Sequence, residues 1–144
     1  MVDANLLLYA ALHELPQHAE ARRWLEGVLS EGPPVALPWH SLLAFVRIST
    51  NPRVFERPPS LAEAWRIVEK WLAAEPTWVP SPTERHAEIL AKTLRFVDRP
   101  SLVSDAHLAA LAIEHGLQLC STDRDFSRFP GLRWQDPLAS PAAD

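Results

Sequence analysis

A single cysteine, Cys120, leaves this chain of 144 residues no internal disulfide. With no basic N-terminal stretch leading into a long apolar segment, that points to a reducing, cytoplasmic setting. The longest apolar run, residues 6–12, falls far short of a bilayer's thickness, so no membrane span is expected. Glycine is scarce: Gly27, Gly32, Gly116 and Gly131 are the four, and none stands in a G-x-G or G-K-[ST] setting. Enzymes built on a Gly-rich phosphate loop are thereby excluded. The six histidines never form H-E-x-x-H, and a lone cysteine cannot help build a zinc site. They are read as ordinary surface or half-buried side chains, and Cys120 as a small core residue. No G-x-S-x-G elbow supports a serine nucleophile. A net charge of −4 argues against a broadly cationic coat, so any polyanion must be met by local patches.

What is present suffices for one core, since 47% of the chain is hydrophobic. Residues 1–138 are expected to form one domain, and residues 139–144 a disordered tail. The organising stretch is 103–126. Ser104 and Asp105 favour a helix N-terminus, Leu108, Leu111, Ala112 and Ile113 recur at helical spacing, and Gly116 supplies the stop. Residues 117–121 then read as a short buried strand, which places Asp123 just past a strand end. Val2-Asp3, residues 35–37, Trp78-Val79 and residues 132–134 are further strand candidates, interleaved with amphipathic helices. One helix covers residues 16–29, and another opens at Pro38. Ser60 with Glu63 has capping-box spacing, and Ser81-Pro82-Thr83-Glu84 repeats the device. Alternation of this kind predicts helices on both faces of a parallel sheet, with strand ends and following helix starts along one edge.

Asp3, Asp105, Asp123 and Asp125 each lie beside such an end or start. A pair of carboxylates about 4 Å apart repels by about 4 kcal/mol at an effective dielectric of 20, so protonation or a cation must relieve a convergence of acids. Oxygen ligands without Cys or His favour Mg²⁺ or Mn²⁺. Metal-dependent phosphodiester hydrolysis is the chemistry that such an ion performs.

Four segments in order, M-V-D-A-N-L-L-L-Y-A, F-V-R-I-S-T-N-P-R-V-F, V-S-D-A-H-L-A-A-L-A and S-T-D-R-D-F, resemble the PIN domain, in particular the VapC toxins of VapBC toxin–antitoxin pairs. The resemblance runs from residue 1 to about 138. It implies a three-layer α/β/α sandwich around a central parallel sheet and Mg²⁺-dependent endoribonuclease activity on RNA. It also implies a homodimer and an inhibiting VapB-type antitoxin. Asp3 matches the family's first acid, Asp105 the acid opening the late helix, Asp123 the acid after the last inner strand, and Asn5 the small polar residue behind the first acid. Catalytic and metal-binding roles are therefore expected of Asp3, Asp105 and Asp123, with Asp125 peripheral and capping the turn that carries Phe126.

The chain departs from the family on the third helix, where a Glu usually stands three residues ahead of an Arg. Here Ala44 precedes Arg47. His40, one turn earlier on the same face, is the candidate to approach the crevice instead. The missing acid also motivates an alternative, a catalytically weak or inactive module that binds RNA or protein. Arg47, Arg53, Arg57, Arg124 and Arg128 flank the crevice in sequence, and by default each is a solvated charge. Trp24, Trp65 and Trp71 are read as core or dimer interface. Some of Trp24, Leu25, Trp39, Leu42, Phe45 and Val46 are expected to line a groove for the antitoxin.

Overall fold

The structure, a computed structural model, describes residues 1–139; the tail expected from residue 139 onward lies, apart from Ala139, outside the described residues. The first three residues are extended, and α1 (Ala4–Ala11) follows at once, because the Asp3 carboxylate accepts the Ala4 N–H at 2.7 Å and so caps the helix. Its Leu6, Leu7 and Ala10 are buried. Helix α2 (His18–Glu31) buries Ala21 and Leu25 and keeps the Arg22–Glu26 pair on its outer face. After β1 (Val35–Ala36), Pro38 stands as N-cap of α3 (Trp39–Ser49), one position before the N1 place expected of it.

Helix α4 (Leu61–Ala73) carries the full capping box: the Ser60 hydroxyl accepts the Glu63 N–H, and the Glu63 carboxylate accepts the Ser60 N–H. The second box does not form. Helix α5 (His86–Thr93) begins later, capped by Arg85 without a side-chain bond. The segment is held otherwise, with the Thr83 N–H donating to Glu114 and the Ser81 carbonyl facing the His115 ring. Strand β2 (Thr77–Trp78) lies between α4 and α5. Two 3₁₀ turns lead into α6 (Val103–Glu114), the first at Leu94–Phe96 and the second at Pro100–Leu102. Leu102 and Val103 are thus helical. Gly116 at φ +64 then turns the chain into β3 (Gln118–Cys120), in the left-handed region where glycine carries no Cβ penalty. A 3₁₀ turn (Arg124–Arg128) and β4 (Arg133–Gln135) complete the described part.

All strand pairings are parallel: β1 with β2, β3 with β4, and Val2 with Cys120. The Val2 N–H donates to the Ala36 carbonyl at 3.1 Å, and the Asp3 N–H to the Cys120 carbonyl at 3.0 Å. The strand order is therefore β2, β1, the Val2 segment, β3, β4, with the first residues of the chain at the centre. Successive side chains leave opposite faces. Val2 and Val35 join Leu6, Leu7, Leu25, Leu42, Phe45 and Val68 under α1 to α4. Met1, Ala36 and Leu119 join Ala106, Leu108, Ala109, Leu111, Ala112 and Phe126 under α6. Two cores on the two faces of a parallel sheet make the expected α/β/α sandwich.

The aromatic residues divide between core and surface. Trp71 packs edge-on against Phe45 at 4.8 Å, whereas Trp65 is 39% exposed and stacks on Trp39, itself 45% exposed. Leu42 and Phe45 are buried core residues, whereas Leu25, also buried, lines a cleft with Leu29, Lys70 and Trp71.

Candidate active site

In a parallel sheet the carboxyl ends of the strands share an edge with the starts of the helices that follow. Asp3 stands there because the central segment ends at it and α1 begins behind it. Its Oδ1 accepts the Ala4 N–H, and its Oδ2 accepts the Ser121 hydroxyl at 2.6 Å. Ser121 is fully buried and does three things at once. Its Oγ donates to Asp3, accepts from Asn5 Nδ2 at 3.0 Å, and accepts from the Asp123 N–H at 3.1 Å. The residues behind the first and last acids are thus knotted through one hydroxyl. Sequence reasoning passed over Ser121; the available signal was a hydroxyl residue two positions ahead of an Asp, the spacing of a Ser/Thr turn.

Asp105 is the third residue of α6, in its first turn, and the helix is capped at Leu102 without a side-chain bond. It therefore does no capping, and among the described residues its carboxylate accepts no hydrogen bond. Burial pushes its pKa from 3.8 up to about 6, helped by the charges of Asp123, Asp3 and Asp125 and opposed by Arg128. Asp3 is also raised, chiefly by burial and further by Asp123, against its Ser121 and Ala4 hydrogen bonds and the nearby His40. Asp123 caps the 3₁₀ turn, its Oδ1 accepting the Asp125 N–H at 2.8 Å. Asp105 thus feels Asp123 and Asp3, and Asp3 feels Asp123.

Asp125 has a different employment from the turn cap expected of it. Its carboxylate is gripped by Arg99 at 2.6 Å and Arg128 at 3.0 Å, and Arg128 also reaches Asp98 at 3.1 Å. Its charge is spent on two guanidinium groups. Arg128 is drawn into the same lattice, while Arg124 stays exposed.

Among the described residues, no three His, Cys, Asp or Glu side chains are arranged to clasp an ion directly. The donors suit a hydrated cation instead. Asp3 and Asp123 each commit oxygen to internal bonds, Asp105 commits none, and Asn5 Oδ1 is buried without a partner. Mg²⁺ keeps several waters and takes one or two carboxylates, so oxygen donors that repel one another and leave room for water fit it. Ala44 leaves the α3 side open. With His40, Leu43 and Arg47 it lines a groove of about 650 Å³. His40 is close enough for its charge to favour the ionised Asp3, and its ring lies edge-on to His107 at 5.8 Å. Arg57 lies elsewhere, on a cleft with Leu12, His13 and Glu56. The sequence also gave no sign that His86, His107 and Glu114 join in a hydrogen-bonded row beside the crevice.

The family model described as PIN domain matches residues 1–132. Ribonuclease VapC37 of Mycobacterium tuberculosis is 47% identical over 140 residues, covering 96% of this chain and 97% of that protein. Ribonuclease VapC43 of the same species is 41% identical over 138 residues, covering 95% of this chain and 94% of that protein. A crystal structure of VapBC2 from Rickettsia felis, bound to a DNA fragment from their promoter, superposes with a TM-score of 0.68 at 14% identity. It covers 94% of this chain and 96% of that one, a likeness of fold. Sequence match, sheet order and the acids at the carboxyl edge agree, and the chain belongs to the PIN domain family.

Proposed function

We propose that this protein is a metal-dependent endoribonuclease, the toxin of a toxin–antitoxin pair, with Asp3, Asp105 and Asp123 as its catalytic, metal-holding residues. The observation that carries the reading is the convergence of partly buried acids, two of them with raised pKa despite the opposing charges of Arg128 and His40. The relatives named as ribonucleases support it over nearly the whole chain. Asp3, Asp105 and Asp123 would hold Mg²⁺ or Mn²⁺. When bound, it supplies charge neutralisation at a phosphodiester oxygen and acidifies water for attack on phosphorus. Asp3 is held in one rotamer by Ser121 and Ala4. Asp105, which spends no oxygen on the protein, is free to receive a proton or orient water.

The protein acts in the cytoplasm as a homodimer and is silenced by a VapB-type antitoxin; among the described residues no helix is long and apolar enough to cross a membrane. An inhibiting segment would bring a cation, most simply an Arg, to the same acids. Purified protein should cleave RNA with Mg²⁺ and stop with EDTA, and Asp3→Asn should abolish cleavage while leaving the fold intact. Full activity in EDTA would overturn the metal reading. A second reading rests on Ala44: with the usual helix acid missing, the domain binds RNA without turnover. Binding at nanomolar to micromolar concentration with no cleavage under any divalent ion would establish it.

A further inference from the structure

The two stretches of chain that carry Asp105 and Asp123 are tied together at the crevice rim through arginine side chains. One stretch leads into α6 by the 3₁₀ turn Pro100–Leu102, and Asp105 is the third residue of that helix. The other leaves β3, carries Asp123 and closes in the 3₁₀ turn Arg124–Arg128, whose base Phe126 seats in the core. Among the described residues, every hydrogen bond between residues 94–105 and residues 121–129 is donated by Arg99 or Arg128. Within its own turn, Arg128 donates from Nε to the Asp125 carbonyl at 3.2 Å and from Nη2 to Asp125 Oδ1 at 3.0 Å. Its Nη1 crosses to the Phe96 carbonyl at 3.3 Å and to Asp98 Oδ1 at 3.1 Å. Arg99 makes the return crossing, its Nη2 donating to Asp125 Oδ2 at 2.6 Å. A planar guanidinium with donors in a fixed fork can hold these acceptors on two segments at once, which a flexible ammonium with three donors cannot.

We propose that Arg128, backed by Arg99, is a positioning residue that holds the Asp105 and Asp123 segments together against the repulsion of their acids, so that both acids are in place for a divalent cation. The proposal rests on the metal reading above for its ligand and extends it to a residue one step behind the acids. Like charges brought to one crevice drive their segments apart until a cation binds, and the ion pairs on the same two segments offset that push. Exposed pairs are weak one by one, but outer partners that orient metal-holding groups are worth about 10–100-fold in metal affinity. Arg128 also lies close enough for its charge to act on Asp105. A neighbouring cation by itself opposes the binding of another. The two roles of this side chain therefore have opposite signs: as a mere nearby charge its loss tightens Mg²⁺ binding, and as a positioning residue its loss weakens it.

Calorimetric titration of the full chain with Mg²⁺, and separately with Mn²⁺, at fixed ionic strength reads that sign. Arg128→Gln should weaken binding about tenfold. Arg128→Lys keeps the charge and loses the fork, and it should weaken binding as well. Arg99→Gln, at a half-exposed position, should give a smaller loss in the same direction. Hydrogen exchange in EDTA supplies a readout without metal: residues 96–105 and 121–129 should exchange faster in Arg128→Gln than in the parent, with α1 to α4 unchanged. Parental or tighter binding in either Arg128 variant overturns the proposal, and should Arg128→Gln fail to fold, Arg99→Gln decides by the same sign. Exchange that quickens throughout the chain, or in neither segment, also overturns it, since the first is a merely structural role and the second leaves the acids where they were. A parent that binds neither ion refutes the metal reading and the proposal with it, whereas a parent that binds alongside variants that bind equally well refutes the proposal alone.

Discussion

Asp105→Asn should stabilise the metal-free protein. The carboxylate sits in the first turn of α6 with no hydrogen bond among the described residues, and its pKa is raised from 3.8 to about 6 by burial and by Asp123, Asp3 and Asp125. Between those two values the folded state binds a proton that the unfolded state releases, so stability falls as pH rises through the window. The penalty is absent below 3.8 and complete above about 6. At 1.36 kcal/mol per unit it has an upper bound of about 3 kcal/mol. Because Asp105 is only half-buried, solvent screening and the helix dipole reduce this to about 1–2 kcal/mol. Urea titrations in EDTA should show the variant more stable by that amount at pH 7.5, about 3–7 °C in Tm for a chain of this size. The two proteins should converge near pH 4. Millimolar Mg²⁺ should raise the parent and leave the variant unchanged. A variant less stable than the parent at pH 7.5, or a gap that persists at pH 4, would refute the argument that these acids oppose folding when empty.

Ser121→Ala should cost about 2 kcal/mol in urea titration, because Asn5 Nδ2 and the Asp123 N–H lose their acceptor in a buried setting. Asp3 also loses a bond that favours its charged form. The acid limb of the pH–rate profile should therefore move upward. Ala44→Glu restores the acid at the open side of the crevice and should tighten Mg²⁺ binding about tenfold by calorimetry while lowering metal-free stability by about 1 kcal/mol. Unchanged affinity would mean that this side of the groove lies too far from the ion.

The sheet, its two helical layers and the three acids were legible because each leaves a local mark. Alternating short apolar runs and helical stripes reveal the layers, and Asp3 and Asp123 sit where a strand must end. The bonds that make the site were not legible. Ser121 reads as one more polar residue after a strand, and only the juxtaposition of residues 3 and 121 gives its hydroxyl three partners. The second capping box failed for the same reason: Ser81 and Glu84 have the right local spacing, but Glu114 and His115 at the end of α6 hold that segment through the Thr83 N–H and the Ser81 carbonyl. Asp125 could be set apart as peripheral, but its actual partners could not be read, because only the fold brings Arg99 and Arg128 onto it.

The central place of the first three residues makes the site a late event in synthesis. Asp3 waits for a bond from Ser121, 118 residues further along, and its strand has no β3 neighbour until Cys120 exists. At about 5–20 residues per second, translation separates the two by roughly 6–24 s. Throughout that interval the acids are held apart on an incomplete chain, and no fragment that stops short of Asp123 can assemble them.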